Sequence, residues 1–229
     1  MKQSPTAYSN IFWHFTGAPK FKEKAKINKP GDMINSEFIK KEKTNEEAFN
    51  ILKKILGDKK LLATSVEEVI EDIEAKSFCC VCDLPLQDLT THSKYYGNVA
   101  IGFSSDSIYK NFNPVFYINI EKLEILSEIC NKNNNIFKDK SNRTSSISKP
   151  NLSSLKFKNY IKITNFNEAT NETFYREKEW RCLENYNFKP VDVSALIVPK
   201  IFVSEIENYL IKKDYKNVSI ISWEFIKKS

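Results

Sequence analysis

The chain has 229 residues, 41% of them apolar, and sets 35 lysines and arginines against 29 aspartates and glutamates for a formal net charge of +6. That length suits one domain with room for insertions. No apolar run approaches the roughly 20 residues of a membrane helix, the opening MKQSPTAYSN lacks the charged-then-apolar pattern of a secretory leader, and the basic residues are dispersed rather than gathered in an arginine patch, so the expectation is a cytoplasmic protein, off the membrane, open to anionic partners such as nucleotides.

Ile11 to Phe15 is an apolar, aromatic run that reads as a strand, ended by Thr16-Gly17-Ala18-Pro19. Residues 20–43 are lysine-rich, broken by Pro30-Gly31, and read as a mobile loop insertion. Thr44 with Glu47 forms a capping box ahead of Phe49, Ile51, Leu52, Ile55 and Leu56, which predicts a helix over 45–56 closed by Gly57. A second box, Ser65 with Glu68, predicts another helix over 66–75. Ser77 to Cys82 is strand-like, and Pro85 to Tyr96 reads as a helix that stops at Gly97. Asn98–Ser104 and Pro114–Ile120 are apolar strands with a helical turn between them, and 121–131 is an amphipathic helix. Residues 131–154 are nearly all polar and read as an exposed, disordered loop insertion. Strands resume at Phe157–Thr164, Phe174–Leu183 and Val191–Val198, followed by a helix over 203–213 and a strand at Val218–Trp223. The mixture is α+β, a single domain over 1–229 with strands concentrated in its second half.

Four stretches carry residues capable of chemistry. In FWHFTG, His14 is either a core histidine bonded to a carbonyl or a ligand to a ribose hydroxyl, with the backbone of Phe15 and Thr16 gripping a carboxamide. In HSKYYG, Tyr95 and Tyr96 either pack a helix end or stack on a planar ring. Cys79, Cys80 and Cys82, with His92 ten residues on, lack the paired spacing of a zinc site and read as buried thiols, so no metal is expected.

The fourth is FYREKEWRCL, residues 174–183. A period of two places Tyr175, Glu177, Glu179 and Arg181 on one face. Two adjacent carboxylates raise each other's pKa, so the pair is either a surface strand paired across the pleat or a functional couple. In the functional case one carboxylate stabilises a developing oxocarbenium ion and the other positions or deprotonates an acceptor. Arg181 then holds Glu179 in place.

In order along the chain, WHFTG, FCCVCDLPL, HSKYYGNVAIGFS, NPVFYI and YREKEWR resemble the AbiGi family of abortive phage-resistance proteins. More distantly, the H-F-T start and E-x-E segment look like the ADP-ribosyltransferase fold of DarT-like toxins. The second resemblance implies a split β-sheet core with peripheral helices that clasps NAD. It assigns His14 and Thr16 to NAD binding, places Tyr95 or Tyr96 near the nicotinamide, makes Glu179 the transferase glutamate and turns Glu177 toward the acceptor. Val81 and Cys82 depart from the expected aromatic and threonine, and no Ser-Thr-Ser motif stands between. Two functions follow. One is NAD-dependent ADP-ribosyl transfer to a nucleic acid, a protein or water. The other is a non-catalytic antitoxin or sensor, from a two-gene defence system, that binds a partner toxin or phage factor.

Overall fold

The computed structural model describes residues 10–23, 25–70, 73–122, 156–166 and 172–228. The helix expected over 121–131 and the loop expected over 131–154 lie outside these residues, except for Glu121 and Lys122, which end a 3-10 turn at Ile120–Lys122.

In chain order the strands and helices begin with β1 (Ile11–Phe15), β2 (Lys20–Phe21), β3 (Ile39–Lys41) and α1 (Asn45–Asp58). Next come β4 (Lys60–Leu61), β5 (Glu68–Ile70), β6 (Ile73–Glu74), β7 (Cys79–Cys82), α2 (Leu89–Tyr96), β8 (Ala100–Ser104) and α3 (Ser105–Asn111). The rest are β9 (Asn113–Pro114), β10 (Phe116–Asn119), β11 (Ile161–Thr164), β12 (Glu179–Cys182), β13 (Tyr186–Asn187), β14 (Val193–Val198), α4 (Val203–Lys212), β15 (Ser219–Ser222) and α5 (Trp223–Ile226).

The fold is α+β, around a seven-stranded sheet of order β15-β14-β8-β1-β7-β12-β9 among the described residues. Only β14 and β15 run parallel in it, and α4 makes the crossover that a parallel pair needs. One face packs under α1, whose Phe49, Leu52 and Leu56 are enclosed with Phe12, Ile101, Phe103 and Leu196 of the sheet. The capping box forms: Thr44 Oγ1 accepts from Glu47 N at 3.1 Å, and the Glu47 carboxylate accepts from Thr44 N at 3.0 Å. The helix runs through Gly57 and stops where Lys59 turns left-handed, at φ 52°. On the other face Trp13, Ala100, Ile197 and Trp223 form a second core.

Four expectations are corrected. Residues 66–75 are not a helix: β5 and β6 pair as an antiparallel hairpin. Ser65 cannot cap a helix there, because its backbone N–H and C=O are both spent in a bridge to Phe78. The β-branched residues Val66, Val69, Ile70 and Ile73 suit the extended alternative. The strand expected over 174–183 begins only at Glu179, since Phe174–Glu177 forms a 3-10 turn and Lys178 adopts φ 47°. Pro114 and Phe116 fall in different sheets: β9 joins the edge of the main sheet, whereas β10 pairs in parallel with β11. Residues 20–43 themselves contain the β2–β3 pairing and a 3-10 turn at Pro30–Ile34.

Candidate functional site: a buried charge cluster beside a cavity

The site forms where the sheet is least continuous. Strand β1 pairs with β8 at five positions but with β7 at one, Trp13 with Cys82. Beyond that point His14 bridges the seam with its side chain, Nδ1 lying 2.8 Å from the Cys80 carbonyl. This contact requires the tautomer with the proton on Nδ1 and leaves Nε2 for a ligand. At the same end of the sheet Gly17 and Gly97 meet backbone to backbone. A Cβ on Gly17 would lie 2.8 Å from the Tyr96 carbonyl oxygen, and Gly97 holds φ at +80°. Glycine at both positions lets the end of α2 close onto the end of β1, and that closure places Tyr96 over the seam.

Glu177 and Glu179 arrive from the other side. Thr164 Oγ1 accepts from Phe174 N at 2.8 Å, and Thr173 Oγ1 accepts from Tyr175 N at 3.2 Å, so the 3-10 turn is anchored to the end of β11. The left-handed Lys178 then swings the chain into β12, where Glu179 N donates to Tyr117 Oη at 2.9 Å. Both carboxylates converge on one ammonium. Lys162 Nζ lies 3.0 Å from Glu177 Oε2, 3.1 Å from Glu179 Oε2 and 3.3 Å from Glu67 Oε1. Arg181 grips Glu179 with two nitrogens, Nε to Oε1 at 2.8 Å and Nη2 to Oε2 at 3.1 Å. It also donates to the Asn159 carbonyl and to Glu67, with its guanidinium over the Phe78 ring. Tyr96 Oη donates to Glu177 Oε1. The cluster is deep: Glu177 is 7% exposed, Glu179 6%, Lys162 8% and Arg181 0%.

Three carboxylates face two cations, so one negative charge is in excess if all are ionised. The surroundings separate the two glutamates. Burial raises both. For Glu179 the guanidinium of Arg181 and the ammonium of Lys162 outweigh burial and carry the carboxyl down to about 2. For Glu177 burial prevails over Lys162, and the charge on Glu179 adds to it, so its pKa stays above the ordinary value. Burial lowers Lys162, but the facing glutamates hold it well above the usual lysine value. The arrangement is that of one fixed carboxylate beside one able to hold a proton.

A cavity of about 830 Å³ opens against the cluster, with His14, His92, Tyr96, Lys162, Glu177 and Glu179 on its wall. Its lining also includes Phe21, Ile27 and Met33, so the lysine-rich insertion helps to enclose it. The His92 ring stacks on Tyr96 at 4.3 Å, and burial drives its pKa down to about 3, leaving a neutral imidazole.

Of the residues singled out from the sequence, His14, Phe15, Tyr96, Glu177 and Glu179 line this cavity together. Thr16 points elsewhere, its Oγ1 donating to the Ala48 carbonyl at 2.8 Å and so tying α1 to the end of β1. Tyr95 packs with Met33 and Phe174. Arg181 stands behind Glu179, fully enclosed. Sequence reasoning missed Lys162 and Glu67. Lys162 is flanked by Ile161 and Ile163, an alternation that reads as a solvated position, and Glu67 fell in the segment read as a helix. Among the described residues no group of histidine, cysteine, aspartate or glutamate is placed to hold a metal ion, and no helix is long and apolar enough to cross a membrane.

Neither the curated proteins nor the solved structures give a match to this chain. One family model does match, described as "Putative abortive phage resistance protein AbiGi, antitoxin", over residues 49–224. The matched span contains Glu67, Tyr96, Lys162, Glu177, Glu179 and Arg181, and it leaves β1 with His14 outside. Because that match takes in well over half of the 229 residues, the chain belongs to the AbiGi family of abortive phage-resistance proteins.

Proposed function

We propose that this chain is the antitoxin of a two-gene phage-defence system and acts by gripping a partner toxin. The observation that carries this reading is the state of Glu179. Both of its oxygens are already bonded, to the guanidinium of Arg181 and the ammonium of Lys162. A carboxylate compensated in this way has little field left for a cation developing on a substrate. What the cluster does accomplish is structural, since it fastens the 3-10 turn, β11, β12 and the segment before β5 to one another. The family description supports the same reading. Two exposed aromatic pairs, Phe116 with Phe157 and Phe166 with Tyr175, flank the β10–β11 ribbon and form the face we assign to the toxin.

Expression settles the matter. Made alone in a bacterial host, the protein leaves growth unchanged; made with the toxin encoded beside it, it restores growth and co-purifies. Phe116→Ser with Phe157→Ser weakens co-purification while the purified protein keeps its melting temperature. Growth arrest by the chain alone overturns the proposal.

A second reading, NAD-dependent ADP-ribosyl transfer to a nucleic-acid or protein acceptor, draws on a different observation. Glu177 and Glu179 are pushed to opposite protonation behaviour beside a nucleotide-sized cavity that His14 also lines. The lining suits the nicotinamide-riboside half of NAD: Tyr96 and His92 give a flat wall, and Nε2 of His14 is a partner for a hydroxyl. It suits the diphosphate half poorly, because Lys26 is paired with Glu68 and Lys162 with three glutamates. NAD binding measured by calorimetry, together with growth arrest that Glu179→Gln relieves, selects this reading; no heat of binding removes it.

A further inference from the structure

The core face of the β7–β12 ladder carries a feature that neither reading uses. Cys182 of β12 stands directly opposite Cys79 of β7 in the antiparallel register. Such neighbours have Cα atoms about 4.5–5.5 Å apart, inside the roughly 4.4–6.8 Å span that a disulfide bridges. Both are free thiols; Cys79 is buried and Cys182 partly exposed. Cys79 Sγ also lies 3.5 Å from the Glu184 carbonyl, so the pair sits at the end of the ladder, where β12 turns toward β13. The neighbouring Cys79 thiol lowers Cys182 to about 6, whereas burial raises Cys80 and Cys82. Cys182 is thus the most acidic of these four thiols, and it is partly exposed where its partner Cys79 is buried.

We propose that Cys182 and Cys79 form a peroxide-responsive dithiol, with Cys182 the attacking sulfur and Cys79 the resolving one. The Cys182 thiolate attacks one peroxide oxygen, and the O–O bond breaks. The sulfur becomes a sulfenic acid, and the other oxygen leaves as hydroxide, which takes up a proton to give water. Cys79, giving up its proton, attacks the sulfenic sulfur. The S–O bond breaks, the S–S bond forms, and a second water departs. Two thiols lose two electrons in all, and the peroxide gains them. The disulfide would lock β7 to β12, the two strands that hold Cys80 and Glu179 in place. With Cys182 partly exposed, such a link is open to reductant, as a reversible switch requires.

The test uses the full chain, reduced, freed of reductant and titrated with hydrogen peroxide. The expected result is a loss of two hydrogens from the intact mass, with a Cys79–Cys182 cross-linked peptide on proteolysis that dithiothreitol reverses. In Cys79→Ser, whose fold is checked by circular dichroism, the cross-link disappears and Cys182 is trapped as a sulfenic acid by dimedone. Limited iodoacetamide on the untreated native protein labels Cys182 before Cys79, Cys80 and Cys82, a measurement that needs no variant. Over-oxidation of Cys182 without a cross-link in the native protein, or a cross-link from Cys182 to another cysteine, overturns the proposal. Alkylation of Cys80 or Cys82 ahead of Cys182 does the same.

Discussion

The two sides of this sheet bury equally deep and opposite chemistry. Along β8 and β14, Ala100, Ile101, Phe103, Leu196 and Ile197 are wholly enclosed, and every one is apolar. On β12, and on β11 of the separate β10–β11 ribbon whose Lys162 reaches Glu179, Arg181, Glu179 and Lys162 are enclosed to a similar degree, and every one is charged. The apolar side is tolerant by nature, because each side chain contributes its own burial and the loss of one leaves a hole but no new liability. The charged side holds only while complete, since each charge is acceptable in the interior because its partners are present. The comparison breaks most visibly at Arg181. Arg181→Met should cost about 4 kcal/mol, the size expected when one partner of a buried ion pair is removed. Adding Glu179→Gln and Glu67→Gln to that variant should restore part of the loss, because the uncompensated carboxylates go with the guanidinium. Ile101→Ala should cost about 3 kcal/mol and have no such rescue. Urea unfolding of the four proteins decides it; a rescue that fails would make the cluster's contribution packing rather than charge.

That contrast also marks what was legible. The apolar side reads directly from the sequence, because strands such as AIGFS and VSALIV bury both faces, and the α1 cap and apolar stripe specify their helix locally. The charged side depends on partners brought from residues 67, 96, 162 and 177–181, a convergence that no local pattern encodes. Reading 174–183 as one strand placed Glu177 and Glu179 on a shared face. The chain brings them to the same ammonium by a different route, through a 3-10 turn and the left-handed Lys178. His14 was legible as a residue that either bonds a carbonyl or faces a ligand. In the structure it bonds the Cys80 carbonyl and also lines the cavity.

A smaller effect sharpens the comparison through pH. Glu179 titrates at about 2 in the folded chain, below its ordinary 4.5. A carboxyl with a depressed pKa adds stability that is fully present above the unfolded value and is lost as pH falls through the folded one. Glu177 is shifted upward. Its contribution runs the other way: it is present below the ordinary carboxyl range and lost as pH rises through the folded value. Unfolding midpoints between about pH 2 and pH 7 should therefore fall on the acid side in the wild type. Glu179→Gln should flatten that acid limb, and Glu177→Gln should flatten the decline on the other limb. Equal and parallel changes in both variants would mean that the two carboxylates share one environment, contrary to the separation that Arg181 imposes.

The smallest expected effect lies at the edge of the apolar side. Thr44 is exposed and contributes one cap to α1, so Thr44→Ala should cost about 1 kcal/mol, the usual worth of an N-cap hydroxyl. The loss stays small because the helix is held by Phe49, Leu52 and Leu56 against the sheet, and by Phe49 stacked on Phe202 at 4.3 Å. Hydrogen exchange separates the two contributions. Amides of the first turn should lose protection in Thr44→Ala, while those around Leu52 and Leu56 keep it. If protection falls through the whole helix, α1 depends on its cap, and the apolar side is less self-sufficient than its burial implies. If protection holds everywhere and Arg181→Met alone opens the β7–β12 ladder, the asymmetry between the two sides lies in chemistry rather than in depth.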